Sequence, residues 1–109
     1  MTPRRGEIWW VRLNPTEGSE VRKTRPCLVL TADVLNRLRR TVVVVPYSTA
    51  AQDHPPITVP VSCQGRPAVA VVDQVRAIAR ERLVERVGAA PEDELAAVLT
   101  ALAEILEMA

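Results

Sequence analysis

The 109-residue chain reads as a mostly β protein of the α+β class. The expected architecture is a small, strongly curved antiparallel sheet or barrel, with one short helix between strands and a packing helix at the C-terminus. Three observations lead there. Short apolar runs, β-branched or alternating, recur between turns marked by proline and glycine, as in small barrels. Sustained helical spacing is confined to the C-terminal end. Hydrophobic residues make up 48% of the chain and aromatics only 3%, so the core has to be aliphatic. The length fits one domain over residues 1–109.

Residues 7–13 (EIWWVRL) are the first expected strand. Trp9, Val11 and Leu13 share one face; Ile8, Trp10 and Arg12 share the other. Asn14-Pro15 stops it, because proline cannot donate to a ladder. A polar loop runs on to Arg25, and residues 26–31 form the second strand. Asp33 is placed to cap a short helix over roughly residues 34–38. Residues 41–45 (TVVVV) are β-branched throughout and read as a strand covered on both faces, ended by Pro46. Beyond the turn at Pro55-Pro56, Ile57, Val59 and Val61 alternate as in a half-exposed strand. Residues 64–67 make a turn. Residues 68–72 are a further buried strand, continued through residues 73–78. Pro91 opens the last helix at its first position, and Glu92, Asp93 and Glu94 fill the turn where the helix dipole favours acids. Leu95, Val98, Leu99, Leu102, Ile105 and Leu106 share one face and predict an apolar stripe laid on the sheet.

Several function classes are excluded or disfavoured. No apolar run is long enough to span a membrane. The basic start lacks the apolar segment and cleavage site of a signal peptide, so a cytoplasmic protein is expected. Cys27 and Cys63 are then two free thiols, and with the single His54 they make no zinc spacing. No metal and no cofactor are expected. Net charge is only +1, which rules out binding nucleic acid by bulk charge alone. The distribution is uneven, however. Residues 1–48 carry nine basic and four acidic residues, a net of +5, and residues 49–109 carry five and nine, a net of −4. The basic half suits an anionic ligand.

If that ligand is RNA, cut without a metal, the ribose 2′-hydroxyl attacks the adjacent phosphorus. The site then needs a base, an acid and a donor to the charged phosphorane oxygens. One histidine rules out a two-histidine scheme within a subunit. What remains is arginine, carboxylate and hydroxyl. Arg25 is the best cation, because its planar fork matches phosphate oxygens and does not titrate. Glu20 on the same loop could act as base. Ser48 and Thr49 follow a buried strand, where a hydroxyl can donate to phosphate. Asp73 is a second carboxylate. Each has a plainer structural account: charged loop tips are mostly solvated, and Ser48-Thr49 after a proline is common turn chemistry. Trp9 and Trp10 could stack bases, with at least one expected in the core.

Four segments together, RGEIWWVRLNPTEGSEVRKTRPCLVL, VVVVPYSTA, VDQVRAI and RERLVERVG with the terminal helix, cover nearly the whole chain. In order and spacing they resemble the MazF/PemK family of toxin endoribonucleases. The resemblance implies a CcdB/PemK-type, SH3-like barrel with a C-terminal helix. It implies a homodimer that cuts single-stranded RNA at short sequences without metal, leaving a 2′,3′-cyclic phosphate and a 5′-hydroxyl. A MazE-like antitoxin with an acidic tail is the implied partner. By position, Arg25 matches the family's catalytic arginine and Glu20 the acidic residue of the Gly-Ser-Glu loop. Ser48 falls where the catalytic threonine stands, with Thr49 one step later. Asp73 matches an aspartate used as base by some members, whose partner histidine and arginine are here Ser19 and Val71. Glu20 is therefore the preferred base and Asp73 the second. Arg22, Lys23, Ser19, Gln74 and Arg76 are the expected RNA contacts. A CcdB-like gyrase inhibitor and a non-catalytic SH3-like nucleic-acid-binding module are the alternatives.

Overall fold

The computed structural model describes residues 2–13 and 24–108. Seven strands occur among them: β1 (Glu7–Arg12), β2 (Thr24–Val29), β3 (Thr41–Ser48), β4 (Thr58–Cys63), β5 (Arg66–Val71), β6 (Arg76–Ala79) and β7 (Leu83–Ala89). A short helix α1 (Asp33–Leu38) joins β2 to β3, and helix α2 (Glu92–Ile105) ends the chain. The strand order is β4-β5-β3-β2-β1-β7, with β6 also paired to β3, and every pairing is antiparallel. β3 pairs with β6 over Thr41–Val44 and with β5 over Tyr47–Ser48. That hand-over curls the sheet into a half-barrel, the architecture expected from the sequence.

The hand-over also explains a departure. Pro46 does not end the third strand; β3 runs through it to Ser48. Pro46 falls between the part of β3 paired to β6 and the part paired to β5, where no ladder bond asks for its missing N–H. The expected continuous strand from residue 68 to 78 is likewise divided. A single 3₁₀ turn at Val72–Gln74 lets one end pair with β4 and the other with β3.

Two aliphatic layers cover the two faces of the central strands. Ile8, Leu28, Val45, Tyr47, Ala70 and Val98 belong to the layer under α2. Trp9, Val11, Cys27, Val29, Val42 and Val44 form the opposite layer. Directly paired residues such as Trp9 and Cys27 therefore pack on one face, and Ile8 and Leu28 on the other. Each fully buried aliphatic side chain contributes roughly 1.5–3 kcal/mol relative to exposure.

Smaller corrections follow. Asp33 does not cap α1; Ala32 occupies the cap position, and the Asp33 carboxylate accepts the Arg5 backbone N–H at 2.7 Å. Ile57 lies outside β4 and is exposed. The buried position is Thr58, whose Oγ1 accepts the His54 N–H at 2.6 Å and donates to Asp53 Oδ1 at 2.8 Å. Pro91 is the cap of α2 rather than its first residue, and Leu106 lies past the helix end and is exposed. The acidic first turn is present, and Glu94 reaches β4, accepting the Ser62 N–H at 3.1 Å and its hydroxyl at 2.9 Å.

The start of β1 is held by Glu7. Its Oε1 accepts the Trp9 indole N–H at 3.0 Å and the Arg4 N–H at 2.9 Å, and its Oε2 accepts Arg86 Nε at 2.7 Å. Burial pushes this carboxyl up, but those hydrogen bonds and the Arg86 charge outweigh it. Its pKa ends below the ordinary 4.5.

Candidate functional site

Where β1, β2, β3 and β5 lie side by side, the sheet carries a cleft of about 620 Å³. Its floor follows from register. Trp10 faces Pro26 across β1 and β2, and Tyr47 lies on β3 one step from the Cys27–Pro46 pair. Trp10 is half-buried, whereas Trp9 is a core residue at 2% exposure, as the two-faced reading of β1 requires. The Tyr47 hydroxyl is buried and has no hydrogen-bond partner among the described residues.

Three walls rise from this floor. Thr24 and Arg25, at the start of β2, form one. Arg25 is half-buried and is anchored by a strand that becomes fully buried at Cys27. The end of β3 forms the second wall with Ser48, Thr49 and Ala50. Ser48 Oγ accepts the N–H groups of Ala50 and Ala51, each at 3.1 Å. A hydroxyl oxygen offers two lone pairs, so both are engaged and its proton stays free to be donated. Thr49 is exposed. The third wall is the β4–β5 hairpin, with Cys63, Gln64 and Arg66.

The cleft suits an anion. Both charged residues that line it, Arg25 and Arg66, are cations, and neither forms an ion pair among the described residues. Arg76 lies on β6, paired with Val44 of β3. Burial pushes the Cys27 thiol up to about 12, and the Arg76 and Arg25 charges both pull against that shift. Burial also raises the Cys63 thiol. A low-pKa nucleophilic thiolate is thus present at neither cysteine.

The structure brings Arg25, Ser48 and Thr49 into one cleft. It does not bring Asp73 or Gln74 there; both are exposed on the 3₁₀ turn after β5 and are absent from the cleft lining. Arg76 is also exposed and outside the lining. Glu20, Ser19, Arg22 and Lys23 lie outside the described residues. Gln64 and Arg66 were not expected at the site. The Gln-Gly dipeptide between two short strands puts them at a hairpin tip, but the pairing of β5 with β3 is what brings that tip to the cleft. No helix among the described residues is long and apolar enough to cross a membrane.

Comparison with known proteins agrees with this architecture. Residues 4–106 match the PemK-like, MazF-like toxins of type II toxin–antitoxin systems. The chain is 36% identical over 94 residues to the Escherichia coli (strain K12) endoribonuclease toxin MazF, covering 85% of this chain and 84% of that one. It is 38% identical over 108 residues to endoribonuclease MazF9 of Mycobacterium tuberculosis, covering 91% and 92%. The crystal structure of MazF (Form-I) from Deinococcus radiodurans superposes with a TM-score of 0.85 at 29% identity, covering 99% of each chain. The MazE-MazF (Form-II) structure from the same organism superposes with a TM-score of 0.81 at 26% identity, covering 100% and 99%. By fold, by sequence and by a match that spans almost its full length, the chain belongs to the PemK-like, MazF-like toxin family.

Proposed function

We propose that this protein is a toxin endoribonuclease that cuts single-stranded RNA at short sequences without a metal ion. The observation that carries the reading is the cleft that Arg25 and Ser48, with its free hydroxyl proton, line together, with no carboxylate lining it among the described residues. Guanidinium and hydroxyl donors are the groups that stabilise a charged phosphorane.

In this scheme the ribose 2′-oxygen attacks the adjacent phosphorus and gives its proton to a base, Glu20 by preference. Asp73 is second, and its place outside the cleft lining weakens its case. Arg25 holds the non-bridging oxygens as charge builds on them, and Ser48 donates one further hydrogen bond. Thr49, exposed at the rim, is the lesser candidate. The bond from phosphorus to the 5′-oxygen breaks, and that oxygen takes a proton from solvent to leave as a hydroxyl, while the base holds the proton from the 2′-hydroxyl. The products are a 2′,3′-cyclic phosphate and a 5′-hydroxyl. Arg22, Lys23, Ser19, Gln74 and Arg76 are proposed contacts to flanking RNA, so Gln74 and Arg76 act outside the cleft. The working form is a cytoplasmic homodimer of single-domain chains, held in check by a MazE-like antitoxin. The relatives named as endoribonucleases and the Deinococcus MazE-MazF complex support this reading. A gyrase-directed binder of the same fold would have no use for a phosphate-matching arginine beside a free hydroxyl proton.

The test is direct. Defined single-stranded RNA is incubated with the protein in EDTA and the cut ends are mapped. Cuts at short recurring sequences with cyclic phosphate ends support the proposal; intact RNA overturns it.

A further inference from the structure

The β4–β5 hairpin stands in the cleft wall, yet the chemistry above gives it nothing to do. Its tip is built unusually. Cys63 pairs with Arg66, so the connection is two residues, Gln64 and Gly65, with φ of 54° and 77°. Both residues are in the left-handed region, the pattern of a type I′ turn, which glycine, asparagine and aspartate fill most easily. Gly65 meets that need. Gln64 does not; a non-glycine residue there is uncommon, and glutamine is not one of the types enriched in that region. A strained position is a reason to look for a role for its side chain.

The neighbours supply that role. Gln64 is exposed and lines the cleft. An amide carries a donor and an acceptor side by side, which is the complement of a base edge. Trp10 lines the same cleft, half-buried, and an indole face supports a stacked base at about 1–3 kcal/mol. Arg66, next to the turn, is exposed and adds a cation well apart in sequence from Arg25.

We infer that Gln64 is a base-reading residue of this protein: a nucleotide beside the scissile phosphate stacks on Trp10, presents its edge to the Gln64 amide, and has its own phosphate held by Arg66. The inference rests on the ribonuclease reading and names the residue that sets its sequence preference. Stacking and phosphate contacts tolerate any sequence, whereas an amide paired to a base edge does not.

The experiment is cleavage of a pool of randomised single-stranded RNA, with the ends sequenced, by wild type, Gln64→Gly, Gln64→Glu and Arg66→Ala. Gln64→Gly removes the amide while relieving the positive φ, so its thermal midpoint should hold or rise. Its discrimination at one position next to the cut should fall about tenfold. Gln64→Glu, which keeps length but loses the donor, should change the preferred base at that same position. Arg66→Ala should slow all sequences alike and lower the salt slope of binding by about 0.7. A wild-type protein with a clear sequence preference that both Gln64 variants reproduce overturns this inference alone. A wild-type protein that cuts no member of the pool overturns the ribonuclease reading and this inference with it.

Discussion

Replacing Ser48 by alanine separates the hydroxyl's structural work from its proposed chemical work. In the folded protein Ser48 Oγ accepts two backbone N–H groups at 3.1 Å, and both bonds are exposed. Water replaces such acceptors at small cost, so the two bonds together are worth about 1 kcal/mol. For a protein of this size that lowers the thermal midpoint by about 4 °C. The chemical loss should be much larger. Removing one donor aimed at a developing oxyanion slows reaction by about 10²–10³-fold. The assay is single-turnover cleavage of a short RNA with enzyme in excess, run well below the melting midpoint and paired with thermal melts. Ser48→Ala should lose at least about a hundredfold in rate with a midpoint near wild type, and Ser48→Thr should keep most of the activity. Thr49→Val, at an exposed rim position, should stay within a fewfold of wild type. If Ser48→Ala cuts at the wild-type rate while Thr49→Val fails, the functional hydroxyl is Thr49 and the reasoning from lone pairs is wrong.

Two further outcomes follow from the same geometry. Glu7→Gln removes the Arg86 ion pair and weakens the acceptor for Trp9 and Arg4, which should cost about 1–2 kcal/mol at neutral pH. The Glu7 pKa is lowered on folding, so its contribution is complete above about pH 4.5 and is lost as pH falls through the folded value. Urea midpoints of wild type and Glu7→Gln should therefore differ at pH 7 and converge in acid; a gap independent of pH would refute this. Cys63 is partly exposed in the cleft and Cys27 is fully buried with its thiol raised to about 12. Mild alkylation of the native protein should modify Cys63 slowly and leave Cys27 intact, and an RNA that cannot be cut should protect Cys63. Modification that RNA does not slow would move the binding surface away from this cleft.

Much of the fold is legible in the sequence because its signals are local. The alternation in β1 separates Trp9 from Trp10, and the structure does the same: Trp9 belongs to a core layer, whereas Trp10 lines the cleft. The acidic turn after Pro91 and the stripe from Leu95 to Ile105 mark α2 on propensity and period alone. What fails depends on partners. Pro46 breaks a strand only where a ladder bond is required, and the change from β6 to β5 removes that requirement. β7 carries no clear alternation, since Leu83 and Val87 are only half-buried at the sheet edge beside β1. At the site, Arg25 and Ser48 can be named from position in the chain. Asp73 follows an apolar run just as Ser48 does, yet the 3₁₀ turn carries it off the cleft. Arg66 and Gln64 join the site only through the pairing of β4 with β5 and of β5 with β3, a long-range fact that no short stretch of sequence contains.

The central claim is that the cleft cation Arg25 stabilises a phosphorane formed by the RNA's own 2′-hydroxyl. The measurement that meets it most directly is the single-turnover rate of Arg25→Ala against wild type at saturating RNA in EDTA, with product ends identified. A loss of about 10²–10³-fold with the melting behaviour retained, and cyclic phosphate ends from wild type, is the result expected. Arg25→Ala cutting as fast as wild type would contradict it.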